Sequence, residues 1–303
     1  MAKNMQLAAL MSAAIILASC SPLTSNSVGR DNTNAPSQTE MQDSTSTQRQ
    51  APTPPLPDAL TDDPRETMDD DAIEPAQGQP LSTEKHGYGQ GVQLDGHNRP
   101  LGALEFNAQY GKYNATAINE EDKKITLTFD QGYENGYTSK ILDTLKEKNV
   151  HAVFFVLQDY AEKNPELVQR MIDEGHTVGN HSVTHRSMPE LSADECKQEV
   201  RGLQRYIKEN FGYLPTLFRP PMGEFSEQSL SVTEDCGCKT MLWSFAYADW
   251  NVDDQPDPAE AKQKLIGAAH EGAIYLLHSV SSTNAEVLGD VIDGIRAEGF
   301  EFN

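Results

Sequence analysis

From Lys124 onward, short apolar runs alternate with amphipathic stretches, and this alternation leaves few folds open to the chain. Strand-like runs occupy 125–130, 152–157, 177–180, 216–219, 240–245, 273–278 and 300–302. Helical spacing fills the intervals. The stretch 138–148 sets Ile141, Leu142 and Leu145 on one face, and 165–174 opens on Pro165 and stops before Gly175. In 192–210, Cys196, Val200, Leu203 and Ile207 follow one another at helical intervals, with Gly212 as a stop. Further helices are expected at 226–235, 258–269 and 284–298. Runs of Val, Ile, Leu and Phe without polar alternation mean strands of a parallel sheet covered on its outside. About seven such units favour a barrel, or an incomplete one, over an open doubly wound sheet.

The polar residues fall at one end of this scheme. Asp130, His181, Arg219, Asp249 and His278 stand at or just past the C-terminal ends of expected strands, the face where α/β barrels assemble active sites. His181-Ser182-Val183-Thr184-His185 spaces two imidazoles four positions apart. If that turn is helical, both rings share a face and can hold one metal ion. Asp130 offers a base to work beside the ion, although a lone Asp after a strand is ordinarily a helix cap. The next residue is Gln131, where a second acidic ligand would be expected.

Arg219, followed by Pro220 and Pro221, is placed to keep a carboxylate ionised, the plain alternative being a stiff turn. Asp249-Trp250 reads either as a cap beside core packing, or as a carboxylate that orients a histidine next to an apolar wall for a sugar ring. His278 emerges from the most apolar run of the chain. A buried structural histidine is the ordinary reading there, and a proton donor at the mouth of a barrel is the better one in this company.

The chain begins with Lys3, an apolar run over 7–18, and then Leu17-Ala18-Ser19-Cys20. This is the pattern of an export signal over 1–19 with a lipobox, which makes Cys20 a lipidation site and the protein lipid-anchored at the outer face of a bacterial membrane. Residues 20–85 are rich in Ser, Thr, Gln and Pro, with twelve Asp or Glu between Asp31 and Glu84 against two Arg. That composition offers little to bury and reads as a disordered acidic tether. A folded domain is expected over 86–303, with its core at 123–303. The formal charge of −22 argues against nucleic-acid binding. Among Cys196, Cys236 and Cys238 three thiols cannot all pair, and Cys236-Gly237-Cys238 is too tight for an unstrained bridge.

These motifs, in this order, resemble the polysaccharide deacetylases of carbohydrate esterase family 4, the NodB-homology domain, over roughly residues 123–303. Phe129 to Thr138, Trp250 and Ala273 to Ser279 are most similar to the branch of muramic-acid delta-lactam-forming peptidoglycan de-N-acetylases. The resemblance implies a deformed, incomplete (β/α) barrel. It implies hydrolytic removal of acetyl groups from N-acetylated sugars, N-acetylmuramic acid of peptidoglycan first among them. It also implies a divalent ion, zinc in the first place and cobalt next, on His181 and His185. Asp130 takes the base position and His278, oriented by Asp249, the acid position. Most of the family has Asp-Asp where this chain has Asp130-Gln131. The amide carbonyl of Gln131 is a weak third ligand, and the ion is expected to be held loosely. Trp250, Tyr133 and Pro220 are the expected sugar contacts. An N-acetylglucosamine or exported-polysaccharide deacetylase, and a glycan-binding lipoprotein with weakened chemistry, stay open as other readings.

Overall fold

The computed structural model describes residues 80–120 and 123–303. The export signal, Cys20 and the acidic segment up to residue 79 lie outside the described residues. In chain order the strands are β1 (His86–Gly87), β2 (Ala115–Thr116), β3 (Thr126–Gln131), β4 (Ala152–Val156), β5 (Thr177–Asn180), β6 (Leu217–Phe218), β7 (Glu224–Phe225), β8 (Lys239–Met241), β9 (Phe245–Ala246) and β10 (Ile274–His278). The helices are α1 (Leu101–Tyr110), α2 (Thr138–Lys148), α3 (Gln158–Lys163), α4 (Pro165–Asp173), α5 (Ala193–Phe211), α6 (Glu227–Asp235), α7 (Pro258–Gly267) and α8 (Ser282–Ala297).

Eight strands form one sheet in the order β2-β8-β6-β5-β4-β3-β10-β9, and its pairings are parallel. The end strands β2 and β9 are not partners, so the curl stops short of closure. This is the incomplete α/β barrel expected from the alternation, with differences of detail. The run 240–245 divides into β8 and β9, and β2 adds an edge. The expected strand at 300–302 contributes a single parallel bridge, Ile125 to Phe302. A separate antiparallel pair joins β1 to β7.

Strand alternation sorts the two faces of the sheet. On β3, Leu127 and Phe129 belong to the large core beneath the helices, together with Ile141, Leu145, Tyr275, Leu277 and Ile292. On β10, Ile274 and Leu276 turn the other way, into a second core built with Phe106 and Tyr110 of α1 and with Phe225, Leu242 and Trp243. Thr128 and Asp130 share the parity of that second face. Helix α1 therefore covers apolar surface on the concave side, leaving the strand ends open.

Helix boundaries follow local chemistry. Ser192 and Glu195 close a reciprocal capping box at the start of α5, and Gly212 ends it at φ 67°. Asp257 accepts from the backbone N–H groups of Ala259 and Glu260 ahead of Pro258 on α7. Cys196, Cys236 and Cys238 are buried free thiols in a small cluster with Met188, Val200 and Phe218.

One glycine sets the shape of the sheet beneath the polar residues. A Cβ on Gly179 of β5 would stand 2.5 Å from the Phe155 ring on β4. Phe155 in turn lies under the Arg219 guanidinium, 4.2 Å away. Gly179→Ala is expected to overpack this contact and lower the unfolding free energy by about 1–3 kcal/mol, read by chemical denaturation.

Candidate active site

Parallel register delivers the candidate catalytic side chains to one level. His278 of β10 is the direct neighbour of Asp130 of β3 across the strand pair. Asn180 of β5 is the neighbour of Phe218 of β6, so the next residues, His181 and Arg219, leave the sheet together. Asp130, His181, His185, Pro220, Trp250 and His278 line one cavity of about 710 Å³. The structure thus brings together the two imidazoles, the expected base, the expected acid and two of the three expected sugar contacts. Tyr133 is exposed and lies outside the cavity lining, as do Arg219, Asp249 and Gln131, which act from behind it.

Asp130 is held by Arg219. The guanidinium is fully buried, and its Nη1 donates to Asp130 Oδ1 at 2.8 Å and to Thr128 Oγ1 at 2.7 Å. Its Nε and Nη2 donate to the carbonyls of Met241 and Leu242, each at 3.0 Å. Burial works against the ionised carboxylate, yet Arg219, with His181 next, holds Asp130 below its ordinary value.

His181 and His185 do not share a helical face. Residues 181–187 form a loop, with Ser182 at φ 77° and His185 at φ 59°. Asn180 Oδ1 accepts from the Ser182 N–H, and Ser182 Oγ accepts from the His185 N–H. These side-chain bonds to the backbone compete with helix formation and turn the chain. The outcome is nevertheless convergence, with ring centroids 5.0 Å apart. His181 Nδ1 contacts the Arg219 carbonyl at 2.8 Å, and a carbonyl only accepts, so Nδ1 carries the proton. The bare Nε2 then faces Asp130 Oδ2 at 3.6 Å. Burial pushes the His181 pKa down to about 4, keeping the ring neutral near pH 7.

Two neutral imidazoles, with a lone pair facing a carboxylate oxygen, form a donor set that suits a divalent cation. Among the described residues, no group of three or more His, Cys, Asp or Glu side chains is arranged to hold a metal. Gln131 is fully buried; its amide nitrogen donates to Ser279 Oγ, and its Oε1 is buried with no hydrogen-bond partner. The residues therefore fit an ion held by His181 and His185, whereas Gln131, expected as a weak third ligand, lies outside the lining of their cavity.

His278 is oriented as expected. Its Nδ1–H donates to Asp249 Oδ1 at 2.7 Å, and its backbone N–H donates to Asp249 Oδ2 at 2.8 Å. Burial alone would lower the pKa of His278, but the Asp249 carboxylate raises it above its ordinary value. The exposed Trp250 ring stands 6.1 Å from the His278 ring at 66°.

Four supporting residues had no motif to mark them. Asn284, in the first turn of α8, donates to Asp249 Oδ2 at 2.6 Å and receives the Tyr247 hydroxyl. Thr128 shares Arg219 with Asp130, and its position two residues before Asp130 on one strand face was the available signal. Trp243 lies over the guanidinium at 5.8 Å, and Tyr88 packs edge-on against that indole.

Residues 107–241 match the polysaccharide deacetylase family. An uncharacterized 30.6 kDa protein of Geobacillus stearothermophilus is 45% identical over 208 residues, covering 68% of this chain and 78% of its relative. The peptidoglycan-N-acetylmuramic acid deacetylase PdaA of Bacillus subtilis is 41% identical over 208 residues, covering 68% and 79% respectively. The solved structure of Bacillus subtilis PdaA, a family 4 carbohydrate esterase, superposes with a TM-score of 0.69 at 38% identity, covering 74% of this chain and 96% of that one. Fold, register-aligned site and sequence agree: the chain belongs to the polysaccharide deacetylase family, carbohydrate esterase family 4.

Proposed function

We propose that this protein hydrolyses N-acetyl groups from a bacterial cell-wall glycan, with N-acetylmuramic acid of peptidoglycan as the sugar. The observation that carries the reading is one cavity lined by both Asp130, paired to Arg219, and His278, paired to the fully buried Asp249 behind it. The identity to a muramic acid deacetylase over 208 residues supports the choice of sugar.

Asp130, kept ionised by Arg219, takes a proton from water as the water oxygen bonds to the acetyl carbon. His278, protonated through its pairing with Asp249, delivers its Nε2 proton to the sugar nitrogen as the carbon–nitrogen bond breaks. Acetate and the free amine leave. His181 and His185 would hold a divalent ion, zinc in this proposal, and such an ion when bound acidifies water and polarises the acetyl carbonyl. Trp250 and Pro220 wall the sugar, with Tyr133 further out.

A glycan-binding protein with lost chemistry is the second reading, and Gln131 is the observation that favours it. The intact Asp130–Arg219 and His278–Asp249 pairs favour hydrolysis. We further propose export and lipidation at Cys20, which would hold the enzyme beside the wall. Among the described residues, no helix is long and apolar enough to cross a membrane.

Three outcomes are expected. Acetate release from peptidoglycan glycan strands should fall by about 10²–10⁴ in Asp130→Asn and in His278→Ala, and equal turnover in wild type and both variants would defeat the proposal. In Asp249→Asn the His278 imidazolium loses its stabilising carboxylate, so its raised pKa falls. The basic limb of the kcat profile, where the acid deprotonates, should then move to lower pH. Calorimetric titration with zinc should give an isotherm for the wild type, and that isotherm should be lost in His181→Ala.

A further inference from the structure

The wall of the catalytic cavity includes Tyr88, Gly89 and Gln90, from a strap that precedes the family-matched residues 107–241. The strap is fixed in place. β1 pairs with β7, the Tyr88 N–H donates to the Gly223 carbonyl at 2.9 Å, and the Tyr88 hydroxyl donates to the Trp243 carbonyl.

Chemistry also fixes which way Gln90 faces. The Trp243 indole N–H can only donate, and it donates to Gln90 Oε1 at 2.9 Å. The amide nitrogen must therefore turn away from the indole. Its hydrogen bond to the Ala246 carbonyl is long, 3.5 Å. An amide nitrogen carries two N–H donors, so at least one is left for a ligand. Gly89, Ala246, Tyr247 and Leu276 line the same cavity as Gln90. A second cavity of about 530 Å³ shares Gln90 and Ala246 with the first. Gln90 thus stands where two hollows meet, on the path of a glycan longer than one sugar.

We propose that Gln90 is a specificity-determining glycan contact that donates its amide N–H to a hydroxyl oxygen of the sugar chain. A neutral amide N–H matches a neutral hydroxyl oxygen, the acceptor that a sugar chain presents along its length. The inference rests on the deacetylase reading, since it places a glycan in this cavity.

Gln90→Glu and Gln90→Ala separate this role from a structural one. Glutamate has the same shape and still accepts from the Trp243 indole, but when ionised it has no donor. With peptidoglycan glycan strands as substrate, both variants should raise KM about tenfold, with kcat changing less. A wild-type KM in Gln90→Glu would overturn the proposal and leave Gln90 as an acceptor for Trp243 alone. A loss confined to kcat, or one that tracks a lowered melting temperature in both variants, would overturn it too. If the wild type releases no acetate, the deacetylase reading fails. Quenching of tryptophan fluorescence by the same strands then still decides the point, since weaker binding in Gln90→Glu supports the contact and equal binding refutes it.

Discussion

The site depends on one buried ion pair, Arg219 with Asp130. Taking two charges out of water is costly, and a pair survives it only when the remaining hydrogen-bonding groups are also matched. Here the guanidinium meets a carboxylate, a threonine hydroxyl and two carbonyls, with the Phe155 and Trp243 rings beside it. Each of those partners is itself fixed by something else. Gly179 leaves room for Phe155, the strap holds Trp243, and Thr128 donates on to the Tyr275 carbonyl. Much of the strand-end architecture therefore serves to keep one carboxylate ionised in a nearly dry place.

In the proposed hydrolysis, the same architecture separates the acid from the base. Two carboxylates of like intrinsic acidity stand in opposite environments, and the environment decides what each can do. Asp130 meets a cation and faces the cavity, so it remains a base. Asp249 is fully buried, and its oxygens receive the His278 ring, the His278 backbone N–H and Asn284. It has little capacity left for substrate, and its effect is exported through the raised pKa of His278. The adjacency of β3 and β10 places the two functions side by side.

Much of this was legible in the chain. Apolar runs without polar alternation mark buried parallel strands, and polar residues at their ends mark the working face, because both follow from one chain segment at a time. Legibility stopped where partners come from distant segments. Two-residue strands such as β2 and β9 carry no period of their own, and β9 was hidden inside one apolar run with β8. Helix α1 starts at Pro100 without a side-chain cap, and its buried Ala103, Phe106 and Tyr110 make only a thin stripe. The spacing of His181 and His185 singled out two rings that do converge, but not on a shared helical face. The rings meet through a left-handed loop, which the four-residue interval alone does not distinguish from a helical turn. Gln90 and Trp243 meet at the cavity wall, and Asn284 meets Asp249, only once distant segments have come together in the sheet.

The amide at position 131 becomes intelligible within the same frame. Alternation along β3 gives residue 131 the parity opposite to Asp130, and its side chain reaches Ser279, the residue after His278. That bond ties the end of the base-bearing strand to the end of the acid-bearing strand, one step beyond the catalytic neighbours. A carboxylate at 131 would set a second negative charge on the residue next to Asp130. Like charge raises a carboxyl pKa, opposing the effect of Arg219. Glutamine adds no such charge, so the ionisation of Asp130 is left to its cationic partner Arg219, with His181 next. The neutral amide thus spares the carboxylate next to it a like charge and ties the two strand ends through Ser279, at the cost of a buried Oε1 that has no hydrogen-bond partner.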